Sequence, residues 1–256
     1  MTKIIAIFNQ AGGVAKTTSA VNIGYHLAKR KHRVLLVDMD PQASLTDFLG
    51  LEPEELDLTI CDLLLEVEEV EVVDVLQKDI HSMDILPSNI MLCKAERELN
   101  YAELREFRLK EVLEKVADEY DYIFIDCPPS LGILSSISLV AANYLVVPVQ
   151  CQYKALKGTE YLLGTIASVR KKLNKTLQIA GFLPTMYQAS NSLDKRTLDE
   201  LKENLEKVAP IYPPINRATA IAESAELGVP LALSNNKHKK SLKTFDQLAI
   251  KMEKLS

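Results

Sequence analysis

No apolar run in this 256-residue sequence reaches the roughly 20 residues that an α-helix needs to cross a bilayer, which excludes a helical membrane span. Cysteine is scarce. Cys61, Cys93, Cys127 and Cys151 lie far apart, with neither disulfide-framework nor zinc-ligand spacing. That spacing points to a reducing cytoplasm and to cysteines serving as small buried hydrophobes. No internal repeat, low-complexity tract or long linker divides the chain, so residues 1–256 read as one domain. Residues 1–8 are too short for a signal peptide and read as a strand. Positive charge is missing from one long stretch, because no Lys or Arg occurs between Val34 and Gln77. The net charge of −5 therefore conceals a split. Residues 1–153 hold 13 basic and 25 acidic side chains, a net −12, whereas residues 154–256 hold 17 and 10, a net +7. Overall acidity argues against nucleic acid, but this asymmetry permits a basic surface on the C-terminal half.

What is present suits a globular protein with a full core, at 47% hydrophobic and 25% charged residues. Strand-like runs at residues 4–8, 34–37, 83–86, 122–125, 144–149 and 178–183 alternate with helix-spaced stretches at 17–29, 96–116 and 159–173. Residues 34–37 and 145–149 are apolar without interruption, as in parallel strands covered on both faces. The pattern predicts an α/β fold with a doubly wound, mostly parallel sheet flanked by helices. The acidic stretch from Glu52 to Asp74 is expected to be a short helical excursion on the surface.

Directly after the first strand runs Asn9-Gln10-Ala11-Gly12-Gly13-Val14-Ala15-Lys16-Thr17-Thr18, followed by an amphipathic helix. A phosphate cradle needs a turn that aims successive backbone N–H groups at one anion, a helix N-terminus, a Lys for the β- and γ-phosphates and a hydroxyl for magnesium. Gly12 and Gly13 supply the turn, Lys16 the charge, Thr17 the metal hydroxyl and Thr18 a further donor. The usual spacing has glycine where this chain has Gln10 and Ala15, so a simple pattern search misses the loop.

Two further strands end in carboxylates, in Asp38-Met39-Asp40-Pro41-Gln42 and Asp126-Cys127-Pro128-Pro129-Ser130. The carboxyl ends of parallel strands open into the crevice where such sheets bind ligands. A lone Asp at a strand end is usually a turn or cap residue. Here they accompany a phosphate loop, which favours metal support by Asp126 behind Thr17 and water positioning near a γ-phosphate.

These three segments resemble the ParA/MinD branch of deviant P-loop ATPases. Phe107-Arg108-Leu109-Lys110, Val147-Pro148-Val149-Gln150-Cys151 and Arg217-Ala218-Thr219-Ala220-Ile221-Ala222-Glu223 extend the resemblance over nearly the whole chain. The resemblance implies a P-loop NTPase with a twisted parallel sheet, ATP and Mg²⁺ as cofactors, and an ATP-sandwich homodimer. It further implies nonspecific DNA binding by the ATP form and slow hydrolysis stimulated by an adaptor of the ParB or carboxysome-distribution type, in the cytoplasm on the nucleoid. Carried over by position, Lys16 and Thr17 hold phosphate and magnesium, Asp40 positions the water, and Asp38 and Asp126 support the metal. Residues Ala11, Gly12, Gly13, Val14, Ala15 and Thr18 wrap the phosphates, while Met186 and Pro213 fall near the adenine.

The family's second lysine, just before the glycine pair, is Ala11 here. Lys154, or Lys157, is the expected substitute, reaching the partner's phosphates across the dimer. A missing lysine with one in the second half resembles the carboxysome-positioning subgroup, which makes the carboxysome the favoured cargo here, although the rest of the chain equally suits plasmid or chromosome partition. Arg196 and Arg217 match arginines that touch DNA phosphates, and Lys237, Lys239, Lys240 and Lys243 form a basic run beside them in sequence. A MinD-like membrane ATPase would need an amphipathic tail. Residues 242–255 are helix-spaced but carry acids as well as lysines, so packing against the sheet is expected and no membrane partner. A metabolic ATP-dependent synthetase would need an additional catalytic segment, for which 256 residues leave little room.

Overall fold

The computed structural model describes residues 1–66, 69–152 and 155–255, with only the backbone of residues 155–157 described. In chain order the elements are β1 (Lys3–Ile7), α1 (Lys16–Lys29), β2 (Val34–Asp38), α2 (Ser44–Phe48), α3 (Ile60–Leu64), α4 (Val72–Val75), β3 (Gln77–Ile80), β4 (Met83–Leu86) and α5 (Leu92–Leu99). They continue with α6 (Arg108–Glu114), β5 (Tyr122–Asp126), α7 (Ile133–Ala141), β6 (Tyr144–Gln150), α8 (Ala155–Lys172), β7 (Gln178–Thr185), α9 (Ser192–Leu205), α10 (Thr219–Glu226) and α11 (Lys239–Glu253).

The strands form one seven-stranded sheet in the order β3-β4-β2-β5-β1-β6-β7, parallel except for the β3–β4 pair. Side-chain alternation along each strand feeds two separate cores. Ala6 and Phe8 join Leu35, Val37, Ile123 and Ile125 in the core beneath α3 to α8. Ile5 and Ile7 join Leu36 and Phe124 in the core beneath α1, α2, α10 and α11. Burial on both faces is why these strands read as unbroken apolar runs.

The tail behaves as expected, since Phe245, Leu248, Ala249 and Met252 of α11 are fully buried in the second core. Its docking is reinforced where Arg30 and His32 meet Glu253. No helix among the described residues is long and apolar enough to cross a membrane.

Two expectations need correction. The helix over residues 96–116 is broken between α5 and α6, with Leu104 in the left-handed region at φ 51°. Helical spacing carries the buried stripe of Leu92, Ala95 and Leu99 on through Ala102 to Leu109, so the sequence reads as one helix, but the left-handed Leu104 and a 3₁₀ turn at Arg105–Phe107 interrupt it. The acidic stretch is not merely superficial, because Ile60, Cys61, Leu63, Leu64, Val72 and Val75 are buried in the first core. A capping box between Thr59 and Asp62 starts α3, with the half-buried Asp62 carboxylate accepting from Thr59 N–H at 2.8 Å. The sheet also carries an antiparallel edge strand, β3, which sequence periodicity does not reveal: its burial is broken and its register with β4 slips.

Beyond β7, residues 210–217 run alongside as an irregular extra edge, with Tyr212 N–H donating to Phe182 O at 2.8 Å and Ile215 N–H to Pro184 O at 2.9 Å. Gly181 is required there, because a Cβ would lie 2.6 Å from the Tyr212 ring. Pro210, Pro213 and Pro214 remove donors from this edge and discourage pairing with another chain.

Candidate active site

The register Ile7↔Asp126 and Asp38↔Asp126 brings the ends of β1, β2 and β5 level, so the loop after β1 sits over both carboxylates. The loop is tied down on each side. Asn9 donates through Nδ2 to Pro148 O at 2.6 Å and accepts from Ala11 N–H at 3.0 Å. This occurs where β6 has outrun its pairing with β1, leaving the Pro148 carbonyl free to be taken. Thr185 Oγ1 donates to Val14 O at 3.1 Å, and Gln10 Nε2 to Gly158 O at 3.1 Å. Gly13 and Ala15 adopt left-handed backbone, at φ 69° and 65°. For Ala15 this conformation costs about 1–2 kcal/mol.

Among the described residues no acceptor meets the N–H groups of Gly12 to Thr18, and α1 begins at Lys16 without a side-chain cap. A Cβ added at Gly12 or Gly13 would have no heavy atom within 4 Å, so the chain itself does not cover the loop there. Unpaired amides at the positive end of a helix dipole make an anion site. Lys16 lies beneath it, buried, with Nζ donating to Ala11 O at 3.1 Å. Burial lowers the Lys16 pKa, and the nearby Asp126 carboxylate opposes that shift.

Behind the loop, Thr17 Oγ1 donates to Asp126 Oδ2 at 2.6 Å. Asp126 is 1% exposed, and its Oδ1 is buried with no partner among the described residues. Burial, with the adjacent Asp38 carboxylate next in size, raises its pKa to about 8. An unpaired buried carboxylate oxygen beside a threonine hydroxyl is an oxygen donor set that suits Mg²⁺ with waters and phosphate oxygens. The residues therefore fit a nucleoside triphosphate with magnesium.

Asp38 is arranged differently. Its Oδ1 accepts from Asp40 N–H at 3.1 Å, and its Oδ2 accepts from Thr46 N–H at 2.9 Å and Thr46 Oγ1 at 2.8 Å. Burial raises its pKa only to about 6, because those three donors favour the anion. Both its oxygens are engaged, so Asp38 is a brace and Asp126 the open donor. Asp40 is half-buried at the rim, with Oδ1 accepting from Gln42 N–H at 2.9 Å.

Beside Ala15 and Thr18 opens a cavity of about 410 Å³, lined also by Met186, Asn216, Arg217 and Ala222, with room for a base. Pro213 lies elsewhere. It lines a separate groove with Tyr212, Lys251 and Leu255, because the segment runs parallel to β7 and reaches the cavity only at Ile215. Arg217 stands exposed at the cavity edge, and Arg196 is exposed on α9. Lys239, Lys240 and Lys243 are exposed on α11, with Lys237 just before it. Lys154 and the side chain of Lys157 lie outside the described residues. Sequence reasoning missed Asn9, Thr46, Ser88 and Thr185 as organisers of the site. Only Asn9, opening the loop, carried any signal.

The geometry can be set beside known proteins. The family model described as AAA domain matches residues 2–179. Sporulation initiation inhibitor protein Soj of Bacillus subtilis is 43% identical over 235 residues, 91% of each chain. Chromosome partitioning protein ParA of Myxococcus xanthus is 38% identical over 239 residues, 93% of this chain and 83% of the relative. Among solved structures, cobyrinic acid a,c-diamide synthase from Mycobacterium smegmatis, with bound ATP analogue and magnesium, is 35% identical. It covers 98% of this chain and 93% of its own at a TM-score of 0.85. Apo McdA from Cyanothece is 26% identical at a TM-score of 0.87, covering 98% and 100%. With the open amides, the buried lysine and the threonine–aspartate pair at three level strand ends, these likenesses make the chain a member of the AAA-domain family, in its ParA/MinD branch of P-loop ATPases.

Proposed function

We propose that this chain binds ATP with Mg²⁺, pairs with a second copy over the nucleotide, holds DNA nonspecifically in that form, and positions a cargo through adaptor-stimulated hydrolysis. The observation that carries the reading is the 2.6 Å contact of Thr17 with Asp126 directly behind unpaired loop amides. In this reading the backbone of residues 11–18 cradles the phosphates, and Lys16 neutralises them. Thr17 and Asp126 hold the metal, and Asp38 keeps the Asp40 segment in place. Bound magnesium would neutralise charge on the transferring phosphoryl group. Asp40 orients the attacking water by accepting its hydrogen bond at the rim. Met186 and the 215–219 segment enclose the base.

Support for DNA binding comes from the exposed Arg196, Arg217, Lys237, Lys239, Lys240 and Lys243 on a half-chain of net charge +7. Dimerisation doubles that charge, and contacts of this kind neutralise phosphates without reading bases. DNA retardation is expected with ATP and Mg²⁺, and it should vanish between about 50 and 200 mM salt. The Arg196→Ala variant, on α9 and outside the base cavity, should lose most of it while retaining ATP turnover in gel-shift and phosphate-release assays. Retardation of equal strength without nucleotide contradicts the reading.

For the lysine missing at Ala11, Lys154 of each copy is the proposed substitute across the dimer. Lys154→Ala should then abolish ATP-dependent dimerisation by sedimentation, and dimerisation at wild-type nucleotide concentrations overturns the substitution.

The cargo is read from the relatives' names. Identities of 43% and 38% to Soj and a chromosome partitioning ParA, against 26% to McdA, favour chromosome or plasmid partition over carboxysomes. A cytoplasmic, nucleoid-associated location follows from that reading. The diamide-synthase likeness supports a second reading, an ATP-dependent synthetase. That enzyme would hydrolyse ATP only with a carboxylic acid acceptor and leave DNA unretarded.

A further inference from the structure

Asp40 follows β2 on a loop rather than within the sheet, yet a water-orienting carboxylate must be held to a fraction of an ångström. The peptide units on either side of Asp40 are both held. The N–H donates to Asp38 Oδ1 at 3.1 Å, and the carbonyl accepts from Ser88 Oγ at 2.9 Å. Ser88 follows β4 and is fully buried, 48 residues away in sequence. Its own N–H donates to Thr46 Oγ1 at 3.0 Å, and that hydroxyl donates to Asp38 Oδ2 at 2.8 Å. The four residues thus close a ring, Asp40 to Asp38 to Thr46 to Ser88 and back to Asp40. The residue before Ser88, Pro87, accepts through its carbonyl from Ile60 N–H at 2.9 Å, which anchors the ring to α3.

We propose that Ser88 is a positioning residue for hydrolysis, acting through the main chain of Asp40. This inference rests on the reading of Asp40 as the group that orients water. A buried hydroxyl is retained where it has partners. Here the hydroxyl and the amide of one residue brace Asp40 and, through Thr46, the carboxylate beneath it. Ser88 is fully buried and reaches Asp40 through the Asp40 carbonyl, not the carboxylate. Its contribution is to fix where the Asp40 carboxylate points.

The test is a double-mutant cycle on the full chain. Single-turnover phosphate release from Mg²⁺–ATP is measured for Ser88→Ala, Asp40→Ala and the double variant. Calorimetric ATP affinity and thermal unfolding are measured for each. Ser88→Ala is expected to slow the hydrolytic step about ten- to a hundred-fold with ATP affinity unchanged, and to have no further effect in the Asp40→Ala background. Ser88→Cys, of similar size but a weak donor, should reproduce the loss, which separates the hydrogen bond from a cavity. Equal losses from Ser88→Ala in both backgrounds, or wild-type turnover in a folded Ser88→Ala, overturn the positioning role alone. Wild-type turnover in Asp40→Ala overturns this inference together with the reading of Asp40 beneath it.

Discussion

Replacing Lys16 by alanine is expected to slow ATP hydrolysis by about a hundred- to a thousand-fold, the loss typical of removing one preorganised charge contact from a water-poor site. The ammonium is buried and held against the Ala11 carbonyl at 3.1 Å, so it is aimed before any ligand arrives. Desolvation strengthens its attraction for phosphate oxygens and removes the competition of water. Asp126 loses its neighbouring cation in the variant, which makes the carboxylate costlier to ionise and weakens any metal behind Thr17. Both effects act in the same direction. Single-turnover phosphate release and ATP titration calorimetry measure them separately, and an unchanged rate constant in a folded Lys16→Ala protein removes the phosphate site.

Asp126→Asn is expected to have opposite effects on stability and on activity. In the ligand-free protein, burial raises the Asp126 pKa from 3.8 to about 8. The folded state therefore holds a proton that the unfolded chain releases between about pH 4 and 8, and this group's contribution to stability falls as pH rises through that window. Asp38, raised to about 6, acts in the same direction over the lower part of the range. The melting temperature without ligand should accordingly be lower at pH 8 than at pH 6. Asp126→Asn, which never ionises, should raise it at pH 8 by on the order of 5 °C and flatten its pH dependence. Magnesium and ATP should reverse the order. Metal binding requires the carboxylate ionised, so wild-type protein should release protons on binding near pH 7, read from calorimetry in buffers of different ionisation enthalpy. The asparagine variant should release few and bind Mg²⁺–ATP more weakly. Identical pH profiles for the two proteins would show that the buried carboxylate carries neither effect.

Legibility from sequence followed the range of the interactions involved. Strands buried on both faces declared themselves as apolar runs, and β2, β4 and β5 lie within a residue of the expected positions. The phosphate loop could be recognised despite Gln10 and Ala15, because strand, turn, lysine, hydroxyl and helix follow one another within a few residues. The gap between α5 and α6 was missed because the apolar spacing of Leu92, Ala95, Leu99, Ala102 and Leu109 continues through it in the sequence. Pro213 does not line the cavity beside Met186, and the path of its segment depends on Tyr212 docking against Gly181, which no local pattern reports. Asn9 holding Pro148, Thr185 holding Val14, and Ser88 holding Asp40 join residues 139, 171 and 48 apart.

The sequence by itself determined the alternating architecture, the phosphate loop and the two strand-end carboxylate segments, since each is encoded by spacing along the chain. Only the tertiary structure decided that Asp126 keeps an open oxygen while Asp38 is fully engaged. The two share strand-end position, burial and neighbouring register, and differ in which distant hydroxyls reach them. Hydrogen bonds to a buried carboxylate come from whatever the packed fold brings near, and that selection has no signature in one dimension.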